Sequence, residues 1–161
     1  MKILVLIKYS LDVSEIKVDP ANHALRLAGV PEKIGNIDRN AVEAGMRLKE
    51  KHSGTLHVIC FGPEAARESF RDVLAMGVDD ATLVIDPFGN QADAGMVIQI
   101  LEATVRKMGP FDLLLCGFAS DDGYTYQVGP RLAERLDLPL VSYVRQISVE
   151  GSLLKADRDL D

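Results

Sequence analysis

Short apolar segments alternate along this chain with segments whose apolar residues recur at helical spacing. Residues 3–7 are continuously apolar, rich in β-branched side chains and enclosed by Lys2 and Lys8. This pattern is typical of a strand buried on both faces of a parallel sheet. Similar runs predict further core strands at residues 55–61, 81–85 and 112–116. Because helical patterns separate these runs, we expect a three-layer α/β/α fold with a mainly parallel sheet and right-handed crossovers.

The helix limits follow from capping and stop signals. Asp38 is expected to cap a helix over about residues 39–52, and Asp93 begins a helix that Gly109 and Pro110 stop. Pro63 is expected in the first turn of a helix that closes at Gly77. A last helix runs from about residue 126 to 136, with Pro130 in its first turn, and residues 87–90 form a turn.

Two further segments are expected to leave the core. Residues 15–18 and 24–27 alternate polar and apolar side chains around a turn at residues 19–22, which predicts a hairpin at a solvent edge. Residues 140–148 and 152–155 predict additional strands around the turn at Glu150 and Gly151. Neither segment is needed to close the core, so each is expected to cover an edge or to meet a partner.

The order of the core strands locates the candidate site. If the first three strands wind one way and the chain then returns past the first strand, the sheet order is 3-2-1-4. Ligands bind where the winding reverses. The crevice would lie between residues 6–9 and residues 117–123, within one Rossmann-like domain formed by residues 1–161.

Composition narrows the function classes. The chain has 161 residues and a formal net charge of −6, which gives no electrostatic footprint for nucleic acid or anionic lipid. Its apolar runs are too short for a membrane span, so no membrane insertion is expected. Cys60 and Cys116 follow apolar runs and are expected to be reduced core thiols, which fits a cytoplasmic protein. The three histidines share no ligand spacing with each other or with the cysteines, so no metal site is expected.

The strongest local feature is the loop of small and polar residues at 117–129. It lies between a buried strand and the start of a helix, so its N–H groups and the helix dipole suit a phosphate. Asp121 and Asp122 must then turn away from the anion, or meet a sugar hydroxyl, while Ser120 or Thr125 joins the N–H groups. Ordinary turn glycines with a capping aspartate pair explain the same residues.

Other candidates have equally ordinary explanations. Lys8, at the end of the central strand, either balances a phosphate charge or is a solvated strand-end lysine. Tyr9, Tyr124 and Tyr126 either stack on a ligand ring or pack against the loop. The chain contains no P-loop, GxGxxG sequence or nucleophile elbow, so no catalytic residue is assigned.

Taken together, these segments resemble the β subunit of electron transfer flavoproteins over the whole chain and in the same order. The pair formed by Leu74-Ala-Met-Gly-Val-Asp79 and Asp122-Gly-Tyr-Thr-Tyr-Gln-Val-Gly-Pro130 is fairly specific. The other matching segments are residues 2–8 with Asp12, the hairpin, residues 37–43 and 47–50, Gly62-Pro63, residues 112–117, Leu132-Ala133 and Leu138-Pro139.

The resemblance implies a non-enzymatic electron-carrier subunit with a fold similar to the adenine nucleotide α-hydrolase-like proteins. It implies AMP, or a second FAD in bifurcating members, and an α subunit that carries the redox FAD. Flavin dehydrogenases would act through that complex. With Lys8, the implied cofactor-binding residues are Leu6, Asn36, Ile37, Asp38, Phe61, Gly117, Phe118, Ala119, Ser120, Asp121, Asp122, Gly123, Tyr124, Thr125, Gln127 and Val128.

The chain departs from the family pattern at three places. Gly35-Asn36-Ile37 stands where the family has Asn-Pro-Phe, and Tyr124 and Tyr126 stand where it has smaller or more polar residues. The sequence given ends at Asp161, where family members continue into a partner-docking segment. We therefore expect either a shortened chain or a naturally short relative.

Two other classes remain open. A stand-alone nucleotide-binding module similar to universal stress proteins shares the sheet order, although its loop glycines are spaced differently. A small hydrolase or ligase of the same superfold is disfavoured by the missing catalytic motif.

Overall fold

A parallel four-stranded sheet forms the centre of the computed structural model, which describes residues 1–86 and 92–159. The strands in chain order are β1 (Lys2–Ile7), β2 (Tyr9–Leu11), β3 (Lys17–Val18), β4 (Leu25–Arg26), β5 (Glu32–Ile34), β6 (Thr55–Phe61), β7 (Asp80–Val84), β8 (Leu113–Cys116), β9 (Val144–Glu150) and β10 (Leu153–Arg158). The helices are α1 (Asn36–His52), α2 (Ala66–Ala75), α3 (Ala94–Met108) and α4 (Val128–Leu136).

The order of the central sheet is β7-β6-β1-β8, which confirms the predicted 3-2-1-4 arrangement. Strand β1 pairs in parallel with β6 on one side and with β8 on the other. Its carboxyl end and that of β8 are therefore adjacent, at the point where the winding reverses.

Successive residues of β1 point to opposite faces of the sheet and enter different apolar clusters. Ile3, Val5 and Ile7 belong to the cluster that also contains residues of α1 and α2. Leu4 and Leu6 belong to the cluster that contains residues of α3 and α4. Because β1 is buried on both faces, its apolar run is continuous rather than alternating.

The observed helix starts correct two predictions. Helix α1 begins at Asn36 with Gly35 at its N-cap position, so Asp38 lies inside the first turn and does not cap the helix. Helix α2 begins at Ala66, so Pro63 precedes it instead of standing in its first turn. Helix α3 has the predicted N-cap, since the Asp93 side chain accepts a hydrogen bond from the N–H of Met96 at 2.8 Å. The predicted turn at residues 87–90 lies outside the described residues.

The additional strands form separate pairs outside the central sheet, which refines the expectation of one sheet with added strands. The hairpin of β3 and β4 is present where it was predicted, and β2 pairs with β5. Strands β9 and β10 form an antiparallel pair that begins at Val144 and continues to Arg158, whereas strands from residue 140 and up to residue 155 were predicted. Among the described residues, no helix is long and apolar enough to cross a membrane.

Candidate functional site

Three segments meet at the carboxyl ends of β1 and β8: the end of β1, the first turn of α1 and the loop that follows β8. The carboxylate of Asp38 links them, because its Oδ2 accepts the backbone N–H of Lys8 at 2.8 Å. The N–H of Gly117 also favours the charged form of this carboxylate. Gly117 has no room for a side chain, since a Cβ there would lie 2.6 Å from Oδ1 of Asp38. The sequence-predicted Asp38 is thus part of the site, but it is buried and faces backbone donors.

The environment of Asp38 disfavours its charge. Burial raises the pKa of Asp38 from 3.8 to about 7. The hydrogen bond from the Lys8 N–H lowers this pKa, and the nearby charge of Asp121 raises it further. The charge of Lys8 and the N–H of Gly117 act in the opposite direction. The carboxyl group therefore changes its protonation state near neutral pH.

Asp121 supplies the contact at the start of α1 that the sequence assigned to Asp38. Its Oδ2 accepts the N–H of Asn36, the first residue of the helix, at 2.8 Å. A carboxylate there satisfies an otherwise unpaired N–H and interacts favourably with the helix dipole. Gly35 makes this approach possible, because a Cβ on it would lie 2.9 Å from the same oxygen.

Asp122 is paired with Lys8. The Lys8 Nζ lies 2.7 Å from the Asp122 carboxylate, and both side chains are partly exposed. Burial of Asp122 opposes ionisation, but hydrogen bonds from Lys8 and Ser120 outweigh it and lower the pKa of Asp122. A partly exposed pair of this kind contributes little to stability. It does orient the lysine towards the loop.

The tip of the loop is held by its own hydrogen bonds. The N–H of Gly123 donates to Oγ of Ser120 at 3.3 Å, and the N–H of Tyr124 donates to the Ser120 carbonyl at 3.0 Å. Ser120 was a candidate for direct anion contact, and in this structure its side chain organises the turn. Ala119 beside it is buried, whereas Thr125 is exposed.

Four aromatic rings pack against one another beside the loop. Phe118 stacks with Tyr126 at a centroid distance of 5.7 Å and meets Tyr124 edge-on at 5.8 Å. Tyr143, which precedes β9, stacks on Phe118 at 6.5 Å. The exposed fractions are 46% for Phe118, 51% for Tyr124, 40% for Tyr126 and 51% for Tyr143. This aromatic patch is an exposed surface next to the site, and Tyr143 was not predicted as part of it.

Leu6, Phe61 and Tyr9 belong to the apolar clusters on the two faces of the sheet. Leu6 and Phe61 are buried in the apolar cluster on the face of α3 and α4. Tyr9 packs against the opposite cluster. The half-buried Ile37 approaches Gly117, since a Cβ on that glycine would lie 2.8 Å from Ile37 Cγ2.

The amino end of α4 adds donors to the site. Gln127 occupies its N-cap position, but its side chain does not cap the N–H groups of Val128 and Gly129. The Nη1 of Arg131 donates to Oε1 of Gln127 at 2.9 Å and brings a positive charge to this turn. Arg131 was missed in the sequence; its position four residues after Gln127, on one helix face, is the signal that points to it.

Two open cavities lie elsewhere. One of about 590 Å³ adjoins β7 and α3, and one of about 430 Å³ adjoins the amino ends of β1 and β6. Neither is lined by a residue of the predicted site. Among the described residues, no three His, Cys, Asp or Glu side chains are grouped as a metal would require.

Comparison with known proteins identifies a family that matches most of the chain. Residues 24–161 match the family model described as electron transfer flavoprotein domain. The chain belongs to this family. It is 41% identical over 161 residues, its full length, to an electron transfer flavoprotein subunit beta from Thermoanaerobacterium thermosaccharolyticum.

Two further relatives carry other names. The chain is 37% identical over 162 residues to the caffeyl-CoA reductase-Etf complex subunit CarD from Acetobacterium woodii, a match that covers all of this chain. It is 39% identical over 150 residues to Protein FixA from Azotobacter vinelandii, covering 91% of this chain. The matches span 62% of the Thermoanaerobacterium and Acetobacterium proteins and 53% of the Azotobacter protein. The electron transfer flavoprotein resemblance and the fold class predicted from sequence are confirmed.

Proposed function

We propose that this chain acts as the β subunit, or its nucleotide-binding part, of an electron transfer flavoprotein. It binds an adenine nucleotide in the loop after β8 and supports an α subunit that carries the redox FAD. Electrons from flavin dehydrogenases would pass through that complex in the cytoplasm, with no catalytic residue on this chain. Similarity to β subunits over the full chain supports the role, while the nucleotide rests on the site itself.

The observation that carries the nucleotide proposal is the amino end of α4. The helix starts beside the switch point of the sheet, its N-cap residue Gln127 does not cap the first N–H groups, and Arg131 lies in its first turn. Helix amino ends with free N–H groups favour phosphate. The amino end of α1, in contrast, is already closed by Asp121. The phosphate is therefore assigned to α4.

The two acidic loop residues fit this assignment because both have donors within the protein. Asp121 accepts from Asn36, and Asp122 pairs with Lys8. Each negative charge is thereby compensated locally. Lys8 serves mainly to neutralise Asp122, so its removal should weaken nucleotide binding only modestly.

Calorimetry on protein freed of bound ligand tests the nucleotide site. AMP, ADP, ATP and FAD are titrated separately, and we expect AMP to bind more tightly than ATP. Gly123→Val should weaken binding strongly, because even a Cβ there would lie 3.2 Å from Ser120 Oγ. Lys8→Ala is the matched contrast and should change affinity far less. If none of the nucleotides gives a binding heat at millimolar concentration, the proposal is wrong.

The protein as purified, before any bound ligand is removed, distinguishes AMP from a flavin. Since the redox flavin is assigned to the α subunit, the purified chain should be colourless. An absorption spectrum with stoichiometric flavin would instead assign FAD to this site and favour the bifurcating type.

Co-purification from the native host tests the partner. The aromatic patch and the pair β9–β10 supply exposed apolar surface for an α-type subunit. Tagged protein is isolated as these 161 residues and with any downstream coding sequence included. Recovery of a flavin-bearing partner supports the proposal. Recovery of a homodimer alone in both cases contradicts it and favours a module similar to universal stress proteins.

A further inference from the structure

Asp38 joins the ends of β1 and β8 beyond the last residues that pair these two strands. Strand β1 ends at Ile7 and its paired register with β8 ends at Leu6 and Cys116. One residue beyond each strand, the N–H groups of Lys8 and Gly117 both turn to the Asp38 carboxylate. The carboxylate thus continues the connection between β1 and β8 after their own pairing has ended.

Both residues that Asp38 holds lead directly into the candidate site. The Lys8 side chain pairs with Asp122, and Gly117 opens the loop that carries Ser120 and Gly123. Ionised, the carboxylate accepts from the Lys8 N–H and attracts that of Gly117. Protonated, it loses acceptor capacity and gains a donor that neither N–H can accept. The geometry of the loop start therefore depends on the charge of Asp38.

We propose that Asp38 is a positioning residue, whose ionised carboxylate fixes the strand ends at Lys8 and Gly117 and thereby holds the nucleotide loop in its binding arrangement. The proposal rests on the proposed nucleotide function for its effect on affinity. Its structural part, the link between β1 and β8, stands independently of any ligand. Asp38 makes no contact with the nucleotide in this scheme.

The groups around Asp38 determine how it titrates. From β1 it faces Lys8, and from the loop it faces Asp121. The thiols of Cys60 on β6 and Cys116 on β8 also sense its charge, but burial raises their pKa values to about 12 and about 11. They stay protonated near neutral pH. Asp122 ionises well below this range because Lys8 and Ser120 donate to it.

Amide NMR tests the structural part without any variant. The ¹⁵N–¹H signals of Lys8 and Gly117 are followed from pH 5.5 to pH 8.5, and we expect both to shift with one common midpoint. In Asp38→Asn this shared titration should disappear, while in Glu43→Gln, an exposed change on the same helix, it should remain. Signals that titrate separately, or that keep their midpoint in Asp38→Asn, overturn the link.

Nucleotide affinity and loop exchange test the positioning part. At pH 8, Asp38→Asn should weaken binding of AMP or FAD by about tenfold, and Glu43→Gln by less than about twofold. Wild-type affinity should fall as the pH is lowered through the amide midpoint, whereas Asp38→Asn should lack this dependence. Hydrogen exchange across residues 120–127 should be faster in Asp38→Asn. Unchanged exchange and unchanged affinity contradict the proposal.

Failure of the two proposals gives different results. If wild-type protein binds none of the nucleotides, the proposed function fails, and the amide titration with loop exchange still decides the role of Asp38. Thermal denaturation first establishes that Asp38→Asn is folded. If the wild type binds nucleotides and this variant binds them equally well at every pH, only the positioning role is lost.

Discussion

At the scale of single residues, the site depends on glycines that leave space for carboxylates. A Cβ on Gly35 would meet Asp121, and one on Gly117 would meet Asp38 and Ile37. Both approaches connect segments that are distant in the sequence. A side chain in place of either glycine would push the two connected backbone segments apart.

Gly117→Ala is therefore expected to destabilise the protein by about 1–3 kcal/mol, the usual effect of overpacking a well-packed site. The added Cβ would lie 2.6 Å from Asp38 Oδ1 and 2.8 Å from Ile37 Cγ2. Gly62→Ala is the control, since its Cβ would have no neighbour closer than 3.7 Å. Urea denaturation measures both, and an equal effect in the two variants would contradict the crowding argument.

The buried Asp38 also predicts a pH dependence of stability. Burial raises its pKa to about 7 from 3.8, so the folded state retains a proton that the unfolded chain has already released. The resulting stabilisation is fully present below about pH 4 and is lost as the pH rises through about 7. His57 acts in the opposite direction, because burial lowers its pKa and its contribution is lost as the pH falls.

The contribution of Asp38 is isolated by comparing wild type with Asp38→Asn. The free energy of unfolding is measured by urea denaturation between pH 5 and pH 8. Relative to the variant, wild type should lose stability as the pH rises over this range, while the His57 contribution cancels. A constant difference would show that Asp38 ionises normally.

At the scale of elements, α1 begins through a contact made by a distant loop. Asp121 accepts the N–H of Asn36 across 85 residues of sequence. The loop and the helix are thus stabilised together, and a change in the loop should be felt at the start of α1.

Asp121→Ala is expected to destabilise the protein by about 1 kcal/mol, in the range for loss of a capping side chain. Asp121→Asn is the matched control, since it retains an acceptor and loses the charge that favours the helix dipole. Its effect should be smaller. Thermal denaturation compares the stability of the two variants, and amide exchange at Asn36 should increase more in Asp121→Ala. Equal stability and equal exchange in the two variants would contradict the capping role of Asp121.

At the scale of the whole molecule, stability comes from apolar clusters on the two faces of the central sheet. The cluster that includes Leu4 and Leu6 is closed by Leu132 on α4, which is 0% exposed. The helix that presents the candidate phosphate donors is therefore fixed to the sheet by its opposite face.

Leu132→Ala should destabilise the protein by about 2–5 kcal/mol, as large-to-small changes in closed cores do. Leu153→Ala on β10 is the matched control, because Leu153 is 66% exposed and should change stability by less than about 0.5 kcal/mol. Urea denaturation measures the free energy of unfolding of both variants, and its dependence on urea concentration should be the same in the two. If Leu132→Ala is tolerated equally well, α4 is not anchored as the structure indicates.

The strands and their order could be predicted because the pattern that specifies them is local. A fully buried parallel strand such as β1 is continuously apolar, and alternation with helices leaves few possible topologies. The same reasoning predicted a candidate site at the ends of β1 and β8. It could not assign partners, because Asp38 and Asp121 carry similar capping signals in the sequence.

The sequence alone determined the parallel sheet, its order, the position of the loop after β8 and the family resemblance. Tertiary structure decided that Asp121 contacts the start of α1, that Asp38 is buried between two strand ends, and that Tyr143 joins Phe118. The physical reason is the distance along the sequence over which each effect acts. Apolar periodicity acts over a few residues, whereas hydrogen bonds of a buried carboxylate depend on which distant backbones the closed sheet brings together.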